Sequence, residues 1–486
     1  GLSSNAENIS ISDLNASVTD YSVKYDLSAL NALDSLNGIQ VISRLHTLGL
    51  SRSDLMNPEA NMTSLNTNIQ SALSGLPTQT VQYTGTDVDD LNQFLQNNTG
   101  KIVQLTQDIQ VYKNTNGSFG IIMVPSDTIL DGNGHRLVMK AGYTEAPDVG
   151  VVLYVYKDGV IPSTNCGVKN LSTDIPYVNS INVFSADNIL IENNTLNNAT
   201  KSGIMISDEY GSTVNGIIRG NTINNVGDDA IAVYGNHSNL LIDSNRISGA
   251  KGFAGIAISC LQNGQQIRVD NETTGPHDII VTGNVVSGCS GEALYCIGSY
   301  KTYITYNTLR DSILEGVCLD SGCIGNYFAH NEVVNNGIAG GLPGVSIDNG
   351  IYNIVDSNNV YNNSCSGIKL VRTGLGNIIV NNICTDNAYN QMGAKSSGID
   401  IEPLAVETEN LGYIDGLGSN WNVVLNNTVT GSHDFGVFIA DDDTANNGGS
   451  SCENVIMYNK FSSAYTFGAA DFSSMSSTVK NNITLN

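Results

Sequence analysis

An all-β parallel solenoid is the fold class that the 486-residue sequence predicts, and three observations predict it. A phrase of β-prone residues closing on Asn recurs along the chain, as in ILIENNTL, IIRGNTI, LLIDSNRI, YITYNTL and VVLNNTV, with shortest intervals of 23 or 24 residues. A second phrase, Gly, β-branched, any residue, aliphatic, falls about halfway between the Asn positions: GIMIS from Gly203, GVCLD from Gly316, GVSID from Gly344 and GIDIE from Gly398. Both phrases alternate with period two, where a helix would need apolar residues at i, i+3, i+4 and i+7. Self-similarity at this period marks a stacked repeat, and coils stacked ~4.8 Å apart bring equal positions into columns.

In chain order, residues 1–80 lack the repeat. Leu27, Leu30, Leu33 and Leu36 suggest helix, and TQTVQYTGT after Pro77 suggests a linking strand. This segment is expected to serve attachment or oligomerisation, and residues 81–486 to form the solenoid domain. In DVDDLNQFLQNN, Val88, Leu91, Phe94 and Leu95 share one helical face. A short amphipathic helix there would cap the first coil, which otherwise exposes a strand edge. The array is expected to start near residue 100, with PSDTILDGNGHRLVM as its first full coil. The recurring Asn positions are Asn194, Asn221, Asn245, Asn284, Asn307, Asn331, Asn382, Asn427, Asn459 and Asn482, with Asn170 and Asn359 assigned to the same slot. At one corner of every coil these side chains can build a ladder of amide hydrogen bonds. The N-x-T triplets are therefore read as ladder positions rather than glycosylation acceptors.

Composition narrows the function classes. Charged residues are 14 % of the chain, and 21 Lys plus Arg against 46 Asp plus Glu leave a net charge of −25. Nucleic-acid backbones and anionic membrane surfaces would be repelled. No apolar run approaches ~18 residues, so no transmembrane helix is expected. The opening GLSSNAENIS has neither a basic nor an apolar region, so no signal peptide is expected there. Nine cysteines without a CxxC, and six His without HExxH, argue against a zinc site. No cofactor is expected, with a structural Ca2+ left open. The thiols read as small buried hydrophobes, with one or two disulfides an alternative for a secreted chain.

The Gly phrase also points to chemistry. Its first and third residues after Gly face inward, and its second and fourth face outward. One outward column reads Tyr295, Cys318, Ser346, Lys369, Asp400 and Phe438; the next holds Tyr234, Asp320, Asp348 and Glu402; Asp229, Glu292 and Glu315 directly precede the phrase. Acids thus gather from Glu292 to Glu402, with Lys369 and Arg372 among them. Insertions after the same strand (LQNGQQIRVDNETTGPHD after Cys260, Pro403 to Trp421, and DDDTANNGGSSCE after Ala440) would wall a groove. Tyr295, Tyr234, Phe438 and Trp421 offer flat platforms for sugar rings.

Paired carboxyls facing a groove suit glycosidic hydrolysis, one protonating the leaving oxygen while the other attacks or activates water. Same-column acids sit about 5 Å apart on adjacent coils and ~9.6 Å apart two coils away, near the retaining and inverting separations. Asp320 and Asp348 are adjacent in this register, as are Glu292 and Glu315; Asp348 and Glu402 are two coils apart. Like-charged neighbours raise one pKa, as a general acid needs. The candidate catalytic residues are Asp320, Asp348, Glu315, Glu292 and Asp229. The candidate substrate-binding residues are Tyr295, Lys369, Arg372, Asp400, Glu402 and Tyr234. The expected activity is an endo-acting, polysaccharide-cleaving glycoside hydrolase. The alternatives are a lyase or C5-epimerase acting on uronic acids, with Lys369, Arg372 and Tyr295 serving proton abstraction, and a non-catalytic carbohydrate-binding adhesin.

Over about residues 100–486 the pattern resembles the right-handed, single-stranded parallel β-helix of the pectate-lyase-like superfamily. VGDDAIAVYG, with Gly227, Asp228 and Asp229, is similar to a signature of family 28 polygalacturonases, whose two Asp belong to an acid cluster for inverting hydrolysis. That family's other motifs fall on Thr200, Lys201 and Ser202, where its Asp is missing, and on Phe253, Ala254 and Gly255, where its His is missing. A third is echoed by Ile368 and Lys369, with Gly367 in place of Arg. The plan of non-repeat segment, capping helix, long solenoid and acidic groove resembles bacteriophage tailspike depolymerases. That resemblance implies a polysaccharide partner, a homotrimer and an extracellular setting, secreted or on a virion. Alginate epimerases and lyases share the scaffold, but their Asp-Pro-His-Glu is absent, and GPHD from Gly275 is a faint echo.

Overall fold

The fold comes from a computed structural model of the chain, which describes residues 27–113, 121–260, 275–389, 397–403, 418–442 and 449–485, apart from positions 28, 29, 37, 154, 157–159, 162, 463, 464 and 466. The described residues fall into two compact units, one of residues 63–260 and 275–291, the other of residues 27–62 and 292–485.

Each coil carries three short strands, one in each of three parallel sheets, here A, B and C. In the first unit, Asp187–Glu192, Thr195–Asn197 and Ile204–Ser207 form one coil. They pair parallel with Val214–Arg219, Thr222–Asn224 and Ile231–Tyr234 of the next. The second unit repeats the plan, with Val345–Asp348, Ile354–Asp356 and Asn359–Tyr361 on Ile368–Val371, Ile378–Val380 and Ile383–Thr385. Columns of identical residues follow from this register. Ile181, Ile204, Ile231 and Ile256 stack in sheet C and are fully buried, each stabilising the coil by about 1.5–3 kcal/mol.

The Asn column forms the expected ladder. Asn194 Nδ2 donates to Asn221 Oδ1 at 3.0 Å, and the series continues through Asn245 to Asn284. In the second unit it runs Asn307, Asn331, Asn358, Asn382, Asn427, Asn459 and Asn482. Two positions differ from the sequence assignment. Asn358, not Asn359, occupies the slot, and the ladder's first bond is donated by the backbone Leu171 N, not by Asn170, to Asn194 Oδ1 at 3.1 Å. The turn residue before the slot takes a left-handed backbone at Asn170, a conformation Asn tolerates, so a doubled or shifted Asn is ambiguous by pattern. A second ladder joins Asn326, Asn353, Asn377, Asn422 and Asn454. A third runs Asn336, Asn363 and Asn387 and ends on the ring of His433, whose Nε2 accepts from Asn387 N at 3.1 Å.

The expected capping helix is present, and the stack of parallel strands begins earlier than the repeat suggested. Thr80–Tyr83 already pairs parallel with Ile102–Leu105. Before it lie α1 (Asn31–Asp34), α2 (Gln40–Thr47), α3 (Arg52–Leu55) and α4 (Pro58–Ala72); between the two strands lies α5 (Val88–Asn97). Asp87 caps α5 by accepting from Asp89 N and Asp90 N, and Val88, Leu91 and Leu95 are buried. Phe94 sits beside Tyr83 with ring centroids 5.2 Å apart. All nine cysteines are buried. Among the described residues no helix is long and apolar enough to cross a membrane.

Candidate active site

Six sheet C strands of the second unit carry the acid cluster: β1 (Leu294–Ile297), β2 (Val317–Asp320), β3 (Val345–Asp348), β4 (Ile368–Val371), β5 (Ser397–Ile401) and β6 (Phe435–Ile439). The column Tyr295, Cys318, Ser346, Lys369, Asp400 and Phe438 is in register across all six. Asp320 and Asp348 occupy consecutive coils, with Ser321 N donating to Asp348 O at 3.0 Å. Glu292 and Glu315 likewise precede consecutive strands, with Ala293 N donating to Glu315 O at 3.1 Å. Asp348 on β3 and Glu402 after β5 are two coils apart.

The outward face is not solvated as expected. Every residue of β1, β2 and β3 is buried. Long side chains lie across the sheet and cover one another, with the shorter Cys318 and Ser346 between them. Tyr295 Oη donates to Asp320 Oδ2 at 2.6 Å, and Ser321 Oγ donates to Asp320 Oδ1 at 2.8 Å. Arg372 Nη1 lies 2.9 Å from Asp348 Oδ2. Lys369 Nζ lies 3.0 Å from Glu402 and 3.9 Å from Asp400, and Ser366 Oγ reaches Asp400 Oδ2 at 3.4 Å. These donors offset part of the desolvation that burial imposes on carboxyls. Asp348 Oδ1, Asp400 Oδ1 and Arg372 Nε are among the buried polar atoms without a hydrogen-bond partner among the described residues.

Burial dominates the electrostatics. It lifts Glu315 to about 7; the Asp320 charge adds to the rise, while the residue's own backbone hydrogen bond, Lys369 and Arg372 oppose it. Burial, then Asp320, raises Asp348 well above the carboxylate range against Arg372. Burial and Glu402 do the same for Asp400 against Lys369 and Ser366. For Lys369 the desolvation that would lower its pKa is outweighed by Asp400 and Glu402, so the ammonium is held charged. Tyr295 is pushed up by burial and by Asp320, and stays a proton donor. Burial and like charge thus favour the protonated form of these carboxyls, while the neighbouring Arg372 and Lys369 favour the charged form.

Asp229 and Tyr234 belong to the other unit. There Asp229 Oδ1 accepts from Ala254 N at 2.8 Å and Oδ2 accepts from the Tyr234 hydroxyl. Burial lifts Asp229 to about 7, with Tyr234 opposing and Asp228 adding. Gly227 opens this turn because a Cβ would sit 1.9 Å from Thr200 O. Both carboxyl oxygens of Asp229 are thus engaged in holding a turn.

Phe438 is not a platform: it packs against Phe435 and Ala470. Residues 261–274, 404–417 and 443–448, which make up most of the three insertions expected to wall a groove, lie outside the described residues. Sequence reasoning passed over Ser321, which follows Asp320 directly, and Ser366, which fills the slot of Glu292 and Glu315 before the Gly. It also missed Arg44 of α2. Arg44 is 1 % exposed. Its guanidinium donates from Nη2 to Gly298 O at 2.6 Å and from Nη1 to Gly322 O. No pattern in the chain links residues so far apart. Among the described residues, no group of three or more His, Cys, Asp or Glu is arranged to hold a metal ion.

A family model for the right handed beta helix region matches residues 153–274. No curated protein matches the chain. Among solved structures, a mannuronan C-5 epimerase A-module of Azotobacter vinelandii is 14 % identical, covering 83 % of this chain and 100 % of its own, at a TM-score of 0.46. The catalytic domain of a GH87 alpha-1,3-glucanase is 13 % identical over 84 % of this chain and 69 % of its own, at 0.47. The tailspike protein of an E. coli bacteriophage is 14 % identical over 81 % and 74 %, at 0.42. Likeness at this level says nothing of chemistry. The three-strand coils, their parallel registers within each unit and the matched region together identify the chain's fold as a right-handed parallel β-helix.

Proposed function

We propose that the chain is a glycoside hydrolase that cleaves polysaccharides at internal linkages, with its reaction centre on β1 to β5. The observation that carries this reading is Glu315, a carboxyl whose pKa of about 7 keeps it protonated at the pH where a general acid must work. Glu315 donates its proton to the glycosidic oxygen as that bond breaks. Asp320, gripped by the Tyr295 and Ser321 hydroxyls, supplies the second carboxyl, which attacks the anomeric carbon or takes a proton from water. Asp348, Arg372, Lys369 and Glu402 orient sugar hydroxyls through the hydrogen-bonding capacity that their mutual ion pairs leave over.

A uronic-acid lyase or C5-epimerase is the second reading. Arg372 favours it, because its guanidinium side chain is 25 % exposed and can neutralise a substrate carboxylate beside an abstracted proton. The high pKa of Tyr295 makes that residue a poor base for such a step, which weighs toward hydrolysis. A panel of capsular and plant polysaccharides, followed by fragment mass and ultraviolet absorbance, separates the readings. Fragments gaining water and a reducing end mark a hydrolase; an absorbing, unsaturated end marks a lyase; an altered uronate ratio in uncut polymer marks an epimerase. Glu315→Gln and Asp320→Asn are each expected to lower hydrolytic kcat by about 100-fold or more with the circular dichroism spectrum unchanged. Near-normal turnover by both variants would remove these residues from the mechanism.

A further inference from the structure

Arg44 stands 278 and 254 residues from the two carbonyls it binds, yet all three sites lie within one compact unit. Gly298 directly follows β1, the strand of Tyr295; Gly322 lies two residues after Asp320, the end of β2. Those two strands carry the 2.6 Å Tyr295–Asp320 hydrogen bond. The guanidinium therefore ties together the two turns that set the spacing of donor and carboxylate. It lies 5.7 Å from the ring centroid of Tyr300, the first residue of the strand after the Gly298 turn, close enough for cation–π attraction.

The turn after Asp320 is held from several sides. Ser321 and Gly322 have left-handed backbones. Cys323 Sγ lies 3.1 Å from Asp320 O. The rest of the N-terminal segment grips the same flank of the coils. The Tyr352 hydroxyl bonds Asp34, and the Tyr327 hydroxyl reaches Glu59 at 3.3 Å. A Cβ on Gly325 would meet Leu55 at 2.5 Å, and one on Gly376 would meet Leu33 at 2.6 Å. Side chains of α1, α3 and α4 thus fit against three successive coils, and Arg44 of α2 hydrogen-bonds the backbone of the turns after Tyr295 and Asp320.

We infer that Arg44 is a positioning residue for the acid site: the N-terminal helices hold Asp320 in its working geometry through the Gly298 and Gly322 carbonyls. The inference rests on the hydrolase reading for its consequence in catalysis and on the turn geometry alone for the clamp itself. Arg44 touches neither substrate nor reacting atoms. It acts by fixing the turn from which the Asp320 carboxyl and the Ser321 hydroxyl project. A displacement of about 1 Å in such a group costs on the order of 100-fold in rate.

The test uses the full chain with Arg44→Ala, Arg44→Lys and the control Arg52→Ala. Arg52 binds Leu27 O, Asn31 and Asp34 within the N-terminal segment and so perturbs the segment without touching the turns. Hydrogen exchange should accelerate in Arg44→Ala at residues 298–300 and 321–325, and remain unchanged at Ile378–Val380. Against a polysaccharide that the wild type cleaves, kcat should fall about 10- to 100-fold while KM stays within about twofold. Arg44→Lys should recover part of the loss, and Arg52→Ala should keep wild-type turnover. The Glu315 carboxyl, identified in infrared spectra by the band lost in Glu315→Gln, should shift its titration midpoint in Arg44→Ala and not in Arg52→Ala. Loosened turns with unaltered kcat and carboxyl titration would overturn the inference, as would turns whose exchange does not change. A wild type that cleaves no polymer would overturn the hydrolase reading instead, and the exchange and titration results would still decide for or against the clamp.

Discussion

Glu315 concentrates the tension between stability and chemistry in one side chain. Its carboxyl titrates near 7 instead of near 4.5 because burial disfavours the charged form. The sign of the linkage follows. The folded state holds this proton more tightly than the unfolded state, so the contribution to stability is complete below about 4.5 and is lost as pH rises through about 7. Glu315→Gln removes the ionisation and should be more stable than the wild type at pH 8, by up to about 3 kcal/mol, while losing turnover. Thermal melts of both proteins at pH 5 and pH 8 check this; a stability gap that does not widen with pH would contradict it. In the wild type, hydrolysis should decline above about pH 7 as the same proton is lost. The sequence showed Glu315 as one of many acids. It could not show that Glu315 is buried, because burial depends on which side chains of neighbouring coils pack around it, and a linear pattern does not give that.

The Asn ladders are the elements that hold the coils in register, and their reading from sequence was partial for a physical reason. The column through Asn382 and Asn427 follows a β-prone strand in each coil, so its period shows. The column through Asn326, Asn353 and Asn377 lies in a turn with no such prelude, and it passed unnoticed. His433 ends the third ladder as a neutral ring, accepting from Asn387 N at Nε2 and contacting Tyr465 Oη at Nδ1, 3.1 Å away. Burial lowers its pKa to about 4, with the Thr430 carbonyl, Asp386 and Asp434 opposing. A depressed histidine contributes stability above its unfolded pKa of about 6.5, and that contribution drains away as pH falls toward 4. His433→Asn, which keeps an acceptor in the ladder, should flatten the loss of melting temperature between pH 6.5 and pH 4. An unchanged slope would show that the ring does not carry it. The Gly phrase was equally readable, since its in–out alternation places Asp320 and Asp348 on one sheet, where they are found, with Glu402 directly after a strand of the same sheet.

At the scale of the whole molecule, 46 acidic against 21 basic side chains leave a charge of −25, which opposes any compact state. Raising NaCl from about 10 to 200 mM, which shortens the screening length from about 30 to below 10 Å, should raise the melting temperature by a few degrees. A melting temperature that falls with salt would mean that the ion pairs of Arg372 and Lys369 outweigh the general repulsion. The packing of the N-terminal helices on distant coils was unreadable for the opposite reason to the repeat. A repeat declares itself by recurrence, whereas the Arg44 contact occurs once.

The sealed thiols described above have a use of their own. From Cys166 to Cys452 they mark rungs along most of the stack, and none is open to a reagent until its own coil parts. Alkylation timed under mild denaturant, with each labelled peptide identified by mass, would therefore chart the order in which this molecule frays, end to end, without altering a single residue.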